Sequence, residues 1–293
     1  MENKIEGAQA CLKVPSIFIL RIWKLAKEMS MKLFKSALEK EWAKLEKDEA
    51  FFLEKALHKE TSKLNQFLET KVPDGLQKTL DEAFAKAFGL VFEKGTGVIE
   101  KSYKKDEIER DYEINSYVVN RKENRKNLKA FSKKASGAGR TNLLLSGASG
   151  IGMGVLGIGI PDIVVFTSLM LRSVYETSLH YGFSYDTEEE KKFILLLIQG
   201  AVCHDTNLLH INHELNDFIN NGAFTKNVSM EESIRRTAAA LSKELLYMKF
   251  LQGIPIVGVV GGAYDVIYMK QVNKFAELKY RRRFLEGKKR SEI

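Results

Sequence analysis

The sequence predicts an all-α protein: a helical bundle with two glycine-rich apolar helical hairpins and no sheet. Three observations carry this. Apolar residues recur at helical spacing along most of the chain. Period-2 alternation bounded by hairpin turns occurs nowhere. Two apolar stretches, 147–182 and 253–285, each place Gly-Ile-Pro at or near a helix start. With 293 residues, 44% of them hydrophobic and 29% charged, the chain has globular composition and can bury a sizeable core.

Residues 16–70 read as amphipathic helix, with Trp23, Phe34, Trp42, Leu45, Phe52, Leu53, Leu57, Leu64 and Phe67 at buried positions. His58 reads as an ordinary surface or packing residue. Val72-Pro73-Asp74-Gly75 is a turn, and a second helix, about 76–94, carries Leu76, Leu80, Phe84, Phe88 and Phe92. The chain from Glu100 to Lys134 is strongly charged, with Arg121, Lys122, Arg125, Lys126, Lys129, Lys133 and Lys134 expected on one helix.

Between Arg140 and Arg172 only Asp162 is charged. About 20 apolar residues would span a bilayer. Here Gly147, Gly150, Gly152, Gly154, Gly157, Gly159 and Pro161 argue against one continuous helix, because Gly costs roughly 1 kcal/mol and Pro about 3 kcal/mol relative to Ala in a helix interior. Two helical pieces are expected instead, broken near Gly159-Ile160-Pro161. Pro161 then sits in a first turn, Asp162 beside the positive helix end, and Gly182 at the stop. Thr187–Glu190 and Ser229–Glu232 have the capping-box pattern. The first leads into Phe193–Ile198, apolar on all sides and therefore buried, and the second opens a helix reaching about Phe250. Gly253-Ile254-Pro255, Gly258, Gly261 and Gly262 then repeat the earlier theme ahead of Asp265, Tyr268, Tyr280 and Arg281-Arg282-Arg283.

Lys and Arg total 46 and Asp and Glu 38, a net charge of +8. Residues 1–140 hold 29 basic and 22 acidic residues, which leaves 46 − 29 = 17 and 38 − 22 = 16 for the rest. A basic N-terminal half suits an anionic partner. No nucleic-acid motif and no regular interleaving of aromatic with basic residues accompanies it, so nucleic acid is not expected. The favoured reading is an anionic membrane surface or a membrane protein, met through Lys122, Arg125, Lys126, Lys129, Lys133 and Lys134 and through the segments holding Gly150, Gly154, Gly258 and Gly262. A solvated helix face is the plainer reading. Cys11 and Cys203 make no disulfide framework and no signal peptide is visible, so the expected location is cytoplasmic and peripherally membrane-associated.

No cofactor is implied. Gly152-Met153-Gly154-Val155-Leu156-Gly157 has the spacing of a dinucleotide loop, with Glu176 roughly 20 residues on. Its helical flanks favour small residues that let helices pack closely. The absence of a Gly-Lys-Ser/Thr ending excludes a P-loop. Ser173, Glu176 and His180 fall within about 40° of Asp162 on the helix wheel, and Arg172 and Glu176 stand four apart, a spacing that permits an ion pair. Asp162, Arg172, Glu176 and Asp265 are therefore candidate catalytic residues of a hydrolase-like enzyme, or members of an internal polar network. His204, His210, His213 and Glu214 are candidate metal ligands, with two of them one helical turn apart, although no His-Glu-x-x-His pattern occurs. Cys203 follows an apolar run and reads as a buried thiol.

The block GIPDIVVFTSLMLRSVYETSLHYGFSYDTEEEKKFILLLI, followed later by QGIPIVGVVGGAYDVIYMKQVNKFAELKYRRRFLEGKK, resembles the EcsC family. The resemblance rests on Pro161, Asp162, Arg172, Tyr175, Glu176, Tyr181, Gly182, Phe193, Pro255, Gly258, Gly261, Gly262, Asp265, Tyr280, Arg283, Phe284 and Leu285. It covers residues 45–288 and leaves 1–44 as an N-terminal amphipathic extension and 289–293 as a basic tail. It implies an ABC transporter as one candidate partner and implies no catalytic chemistry.

Overall fold

The computed structural model describes residues 36–57, 75–92, 96–136, 160–204, 206–251 and 263–291. Among these residues all regular structure is helical and no strand occurs, so the fold is all-α as the periodicity predicts. The two glycine-rich segments, 141–159 and 252–262, lie outside the described residues, and the expected hairpins with them. No helix among the described residues is long and apolar enough to cross a membrane.

The helices are α1 (Ala37–Leu57), α2 (Leu76–Leu90), α3 (Thr96–Glu100), α4 (Lys105–Arg121), α5 (Arg125–Ala135), α6 (Ile160–His180), α7 (Glu188–Val202), α8 (Thr206–Asn221), α9 (Met230–Leu251) and α10 (Ala263–Ser291). The long α10 packs on α6, α7, α8 and α1, while α9 packs on α2 and α7. α4 lies on α6, and α5 bridges α4 and α1. Phe193, Ile194, Leu195, Leu197 and Ile198 of α7 are fully buried, and each such side chain contributes about 1.5–3 kcal/mol of transfer free energy. α7 approaches its neighbours closely at Gly200, where an added Cβ would stand 2.8 Å from both Ile211 of α8 and Phe275 of α10.

The helix ends follow local chemistry. α6 begins at Ile160 with Pro161 in its first turn, and it stops at Gly182, whose φ is 81°. There the Gly182 N–H donates to Leu179 O and the Phe183 N–H to Ser178 O, each at 2.9 Å. This is a Schellman closure, and it favours a residue without Cβ. Thr187 caps α7 by accepting the Glu190 N–H at 3.2 Å, and Ser229 accepts the Glu232 N–H at 3.2 Å to cap α9. Neither glutamate spends its carboxylate on the cap: Glu190 is engaged by Tyr280 and Arg283, and Glu232 by Arg235 and Arg236. A fully reciprocal box that the sequence reading passed over joins Ser36 and Glu39.

One expectation needs correction. The basic stretch is not on a single helix. The chain is extended at Lys122 (φ −148°, ψ 93°), and Asn124 starts a new helix by accepting the Asn127 N–H at 2.9 Å. Arg121 and Lys122 therefore close α4, and the remaining cations ride on α5. α10 is described from Ala263, and Gly253-Ile254-Pro255 lies outside the described residues.

Candidate functional site

The most heavily charged part of the interior is a junction around residues 279–283 of α10. Successive helical residues point about 100° apart, so a helix covered on all sides presents each polar side chain to a different neighbour. Lys279 is fully buried. It donates to Asn212 of α8 at 2.5 Å, to Asn216 at 2.7 Å and to the carboxylate of Glu49 on α1. Arg282, one turn on, also reaches Glu49, through Nε at 2.9 Å. Arg281 faces Glu41 at 2.8 Å and Asp48 at 3.3 Å. Tyr280 and Arg283 turn the other way, donating to Glu190 at 2.8 Å and 2.6 Å, and the Arg283 guanidinium lies over Phe183 at 4.2 Å.

Lys279, Arg281, Arg282 and Arg283 are thus matched by Glu41, Asp48, Glu49 and Glu190, four cations to four carboxylates. Burial pulls the Lys279 ammonium down to about 8, against the attraction of Glu49. Burial also works against the ionised Glu49 carboxyl, but Lys279 and Arg282 outweigh it and hold that group below its ordinary 4.5. The pair is ionised at neutral pH. A matched, desolvated network of this kind fixes which helix meets which, and leaves no free charge for chemistry.

A second polar group gathers at the C-terminal part of α6. Arg172 and Glu176 form the ion pair their spacing allows, at 2.8 Å, and Ser173 is buried and donates to Asn273 of α10. The Tyr185 hydroxyl donates to Glu100 at 2.6 Å. That uses its only proton, so the Tyr103 hydroxyl donates to Tyr185, at 2.5 Å. Tyr175 stacks on Tyr185 with ring centres 4.1 Å apart. Burial pushes Tyr103, Tyr175 and Tyr185 above the ordinary phenol value, while the Tyr185 hydrogen bond holds Glu100 low. At neutral pH all three phenols are protonated, and Tyr103 and Tyr185 serve as hydrogen-bond donors. His180 is pushed down by burial and stays neutral there.

Of the other candidates, the side chains of Asp162 and Asp265 lie outside the described residues, as do Gly150, Gly154, Gly258 and Gly262. The histidines do not converge. His204 is buried against Glu244 at 2.8 Å. His213 is exposed beside Asp217 at 3.4 Å. His210 is exposed and Glu214 half-buried on α8. No group of three or more His, Cys, Asp or Glu among the described residues is placed to hold a metal ion. Cys203 is half-buried.

The six basic candidates do come together on the outside. Lys122, Arg125, Lys126, Lys129, Lys133 and Lys134 are all exposed, while Leu128, Phe131 and Ala135 of α5 face inward. Phe131 anchors the helix by stacking on Phe284 of α10 at 4.2 Å and meeting Tyr112 and Tyr181 edge-on. Sequence reasoning missed Lys279, Glu41, Glu49, Glu190, Asn212 and Asn216. One available signal was the four-residue spacing of Glu41, Leu45 and Glu49, which puts two carboxylates on the apolar side of α1.

The fold and this arrangement define a helical scaffold locked by an internal neutral charge junction, with a basic helix face turned to solvent. The chain belongs to the EcsC protein family, whose model matches residues 36–285. That span contains the whole junction, from Glu41 to Arg283. No curated protein and no solved structure matches the chain.

Proposed function

We propose that this protein docks peripherally on anionic lipid headgroups at the cytoplasmic face of a membrane, through the exposed basic face of α5 and the end of α4. The observation that carries the reading is the grouping of Lys122, Arg125, Lys126, Lys129, Lys133 and Lys134, all exposed, on an element whose apolar residues are already used inside the fold. Clusters of four to eight such residues bind anionic leaflets, each contributing about 1 kcal/mol close to the surface. The glycine-rich apolar segment follows α5 directly in sequence, where it can meet the bilayer interface or a membrane protein such as an ABC transporter subunit. An enzymatic reading draws no support from Arg172 and Glu176, which neutralise each other.

Co-sedimentation with phosphatidylcholine vesicles, with and without phosphatidylglycerol, tests the proposal. Binding is expected only to the anionic vesicles, and it should weaken as salt shortens the Debye length. Equal recovery with both vesicle types, or no recovery with either at low salt, would contradict it.

A further inference from the structure

Among the described residues, the exposed Phe51, Leu90, Leu209 and Ile267 each stand alone on their helix, but Ile114, Tyr117 and Val118 of α4 stand together, 62%, 64% and 45% exposed. Single apolar residues on a surface are ordinary, whereas a grouped set points to a partner. Their spacing of three and four puts them on one helical face. The fold makes no use of that face, because α4 is held to its neighbours through the buried Val119 and through Tyr112, which meets Phe131 edge-on. The same face runs on into the cations of the docking surface. Arg121 lies four positions beyond Tyr117 and Lys122 four beyond Val118. α5 lies alongside: Lys134 donates to the Asn115 side chain at 2.8 Å, and Asn127 to the Lys122 carbonyl at 2.8 Å. Charge divides α4 at the same place. Residues 105–113 hold Asp106, Glu107, Glu109, Asp111 and Glu113 against Lys105 and Arg110, while residues 114–136 hold seven cations and one acid, Glu123, which is attracted to Lys288 of α10. An apolar face bordered by cations fits an anionic bilayer surface, where apolar side chains enter the boundary between headgroups and acyl chains while Lys and Arg meet phosphate. A protein partner fits less well. Even a whole aromatic side chain buries only about 150–250 Å², so three partly exposed residues fall short of the roughly 800 Å² per partner of a standard interface.

We propose that Ile114, Tyr117 and Val118 insert into the leaflet on which the protein docks, as a shallow apolar wedge beside the basic face. The inference rests on the docking proposal and deepens it: the lysines and arginines hold the surface by charge, and the wedge adds an acyl-chain contact that salt does not screen. Tyr117 suits the boundary, with its ring in the apolar layer and its hydroxyl among the headgroups. The acidic first half of α4 is repelled by the same anionic leaflet, so α4 meets it by its C-terminal half.

Co-sedimentation with phosphatidylcholine vesicles containing phosphatidylglycerol, at low and raised salt, tests it on the wild type and on the Ile114→Ser, Tyr117→Ser, Val118→Ser triple variant, with a thermal melt of each. The variant is expected to bind about tenfold or more weakly, and to lose at raised salt the residual binding that the wild type keeps. Tyr117→Trp keeps the face apolar and decides the point independently of how the serine variant folds. Against the wild-type background of Trp23 and Trp42, its added emission should shift to the blue on anionic vesicles and be quenched by brominated acyl chains. Undiminished binding by a folded serine variant, or added emission that vesicles leave unshifted, overturns the wedge and keeps docking by charge. Emission that shifts with protein concentration alone marks a contact between copies of the chain and overturns the wedge as well. No wild-type binding to anionic vesicles removes the docking proposal, and the wedge with it.

Discussion

Two regions rich in lysine and arginine are treated in opposite ways by this fold. At residues 279–283 of α10 the cations are buried or nearly so, and each meets a carboxylate from α1 or α7. On α5 and at the end of α4 the same residue types stand in solvent. The runs RRR and KK look equally polar as sequence, and the difference lies in what faces them. α1 brings Glu41, Asp48 and Glu49 to one side of α10, so that run is architecture. α5 turns only Leu128, Phe131 and Ala135 inward, so its cations remain available to a partner.

The sharpest way to break the comparison is Lys279→Met. It strands Asn212 and Asn216 without their donor and leaves Glu49 to Arg282 alone, and loss of one partner from a buried ion pair costs about 3–5 kcal/mol. Urea unfolding should show that loss. The pH dependence sharpens the same point. Burial lowers the Lys279 ammonium from 10.5 to about 8, so between those values the unfolded chain holds a proton that the folded protein has released. Stability from this group therefore rises with pH across that window. The gap between wild type and Lys279→Met should widen from pH 8 to 10.5 when their urea midpoints are compared. Glu49 acts at the acid end. Its carboxyl lies below 4.5 in the folded protein, so its contribution is present above that value and is lost as pH falls through the folded value.

Smaller effects are expected where the backbone is constrained. Gly182→Ala forces a Cβ into a left-handed residue beneath the ring of Tyr112, and the conformation alone costs roughly 1–2 kcal/mol. Thr187→Ala removes the α7 cap and should cost about 1 kcal/mol, read as a lower melting temperature. Least of all, reversing the charge of Lys126, Lys129 and Lys133 should change stability by only about 0.5 kcal/mol, because those groups carry no architecture.

Much of the helical order was legible. α7 was marked by a threonine cap and an apolar run, α9 by Ser229, and the end of α6 by Gly182, since each is local chemistry. The Arg172–Glu176 pair was legible for the same reason. Lys279 and Glu49 were not, because they are 230 positions apart and a glutamate on an amphipathic helix is ordinarily read as solvated. Only the packing of α1 on α10 turns Glu41 and Glu49 inward. The histidines of residues 204–213 misled in the opposite sense. Closeness in sequence suggested a shared site, yet His204 sits before α8 and turns to Glu244 of α9, while His210 and His213 face solvent.

The most direct test is co-sedimentation of the Lys126→Glu, Lys129→Glu, Lys133→Glu triple variant with phosphatidylglycerol-containing vesicles, beside a thermal melt of the same sample. The account predicts a melting temperature close to that of the wild type and loss of vesicle binding. Undiminished binding by the folded variant would contradict it.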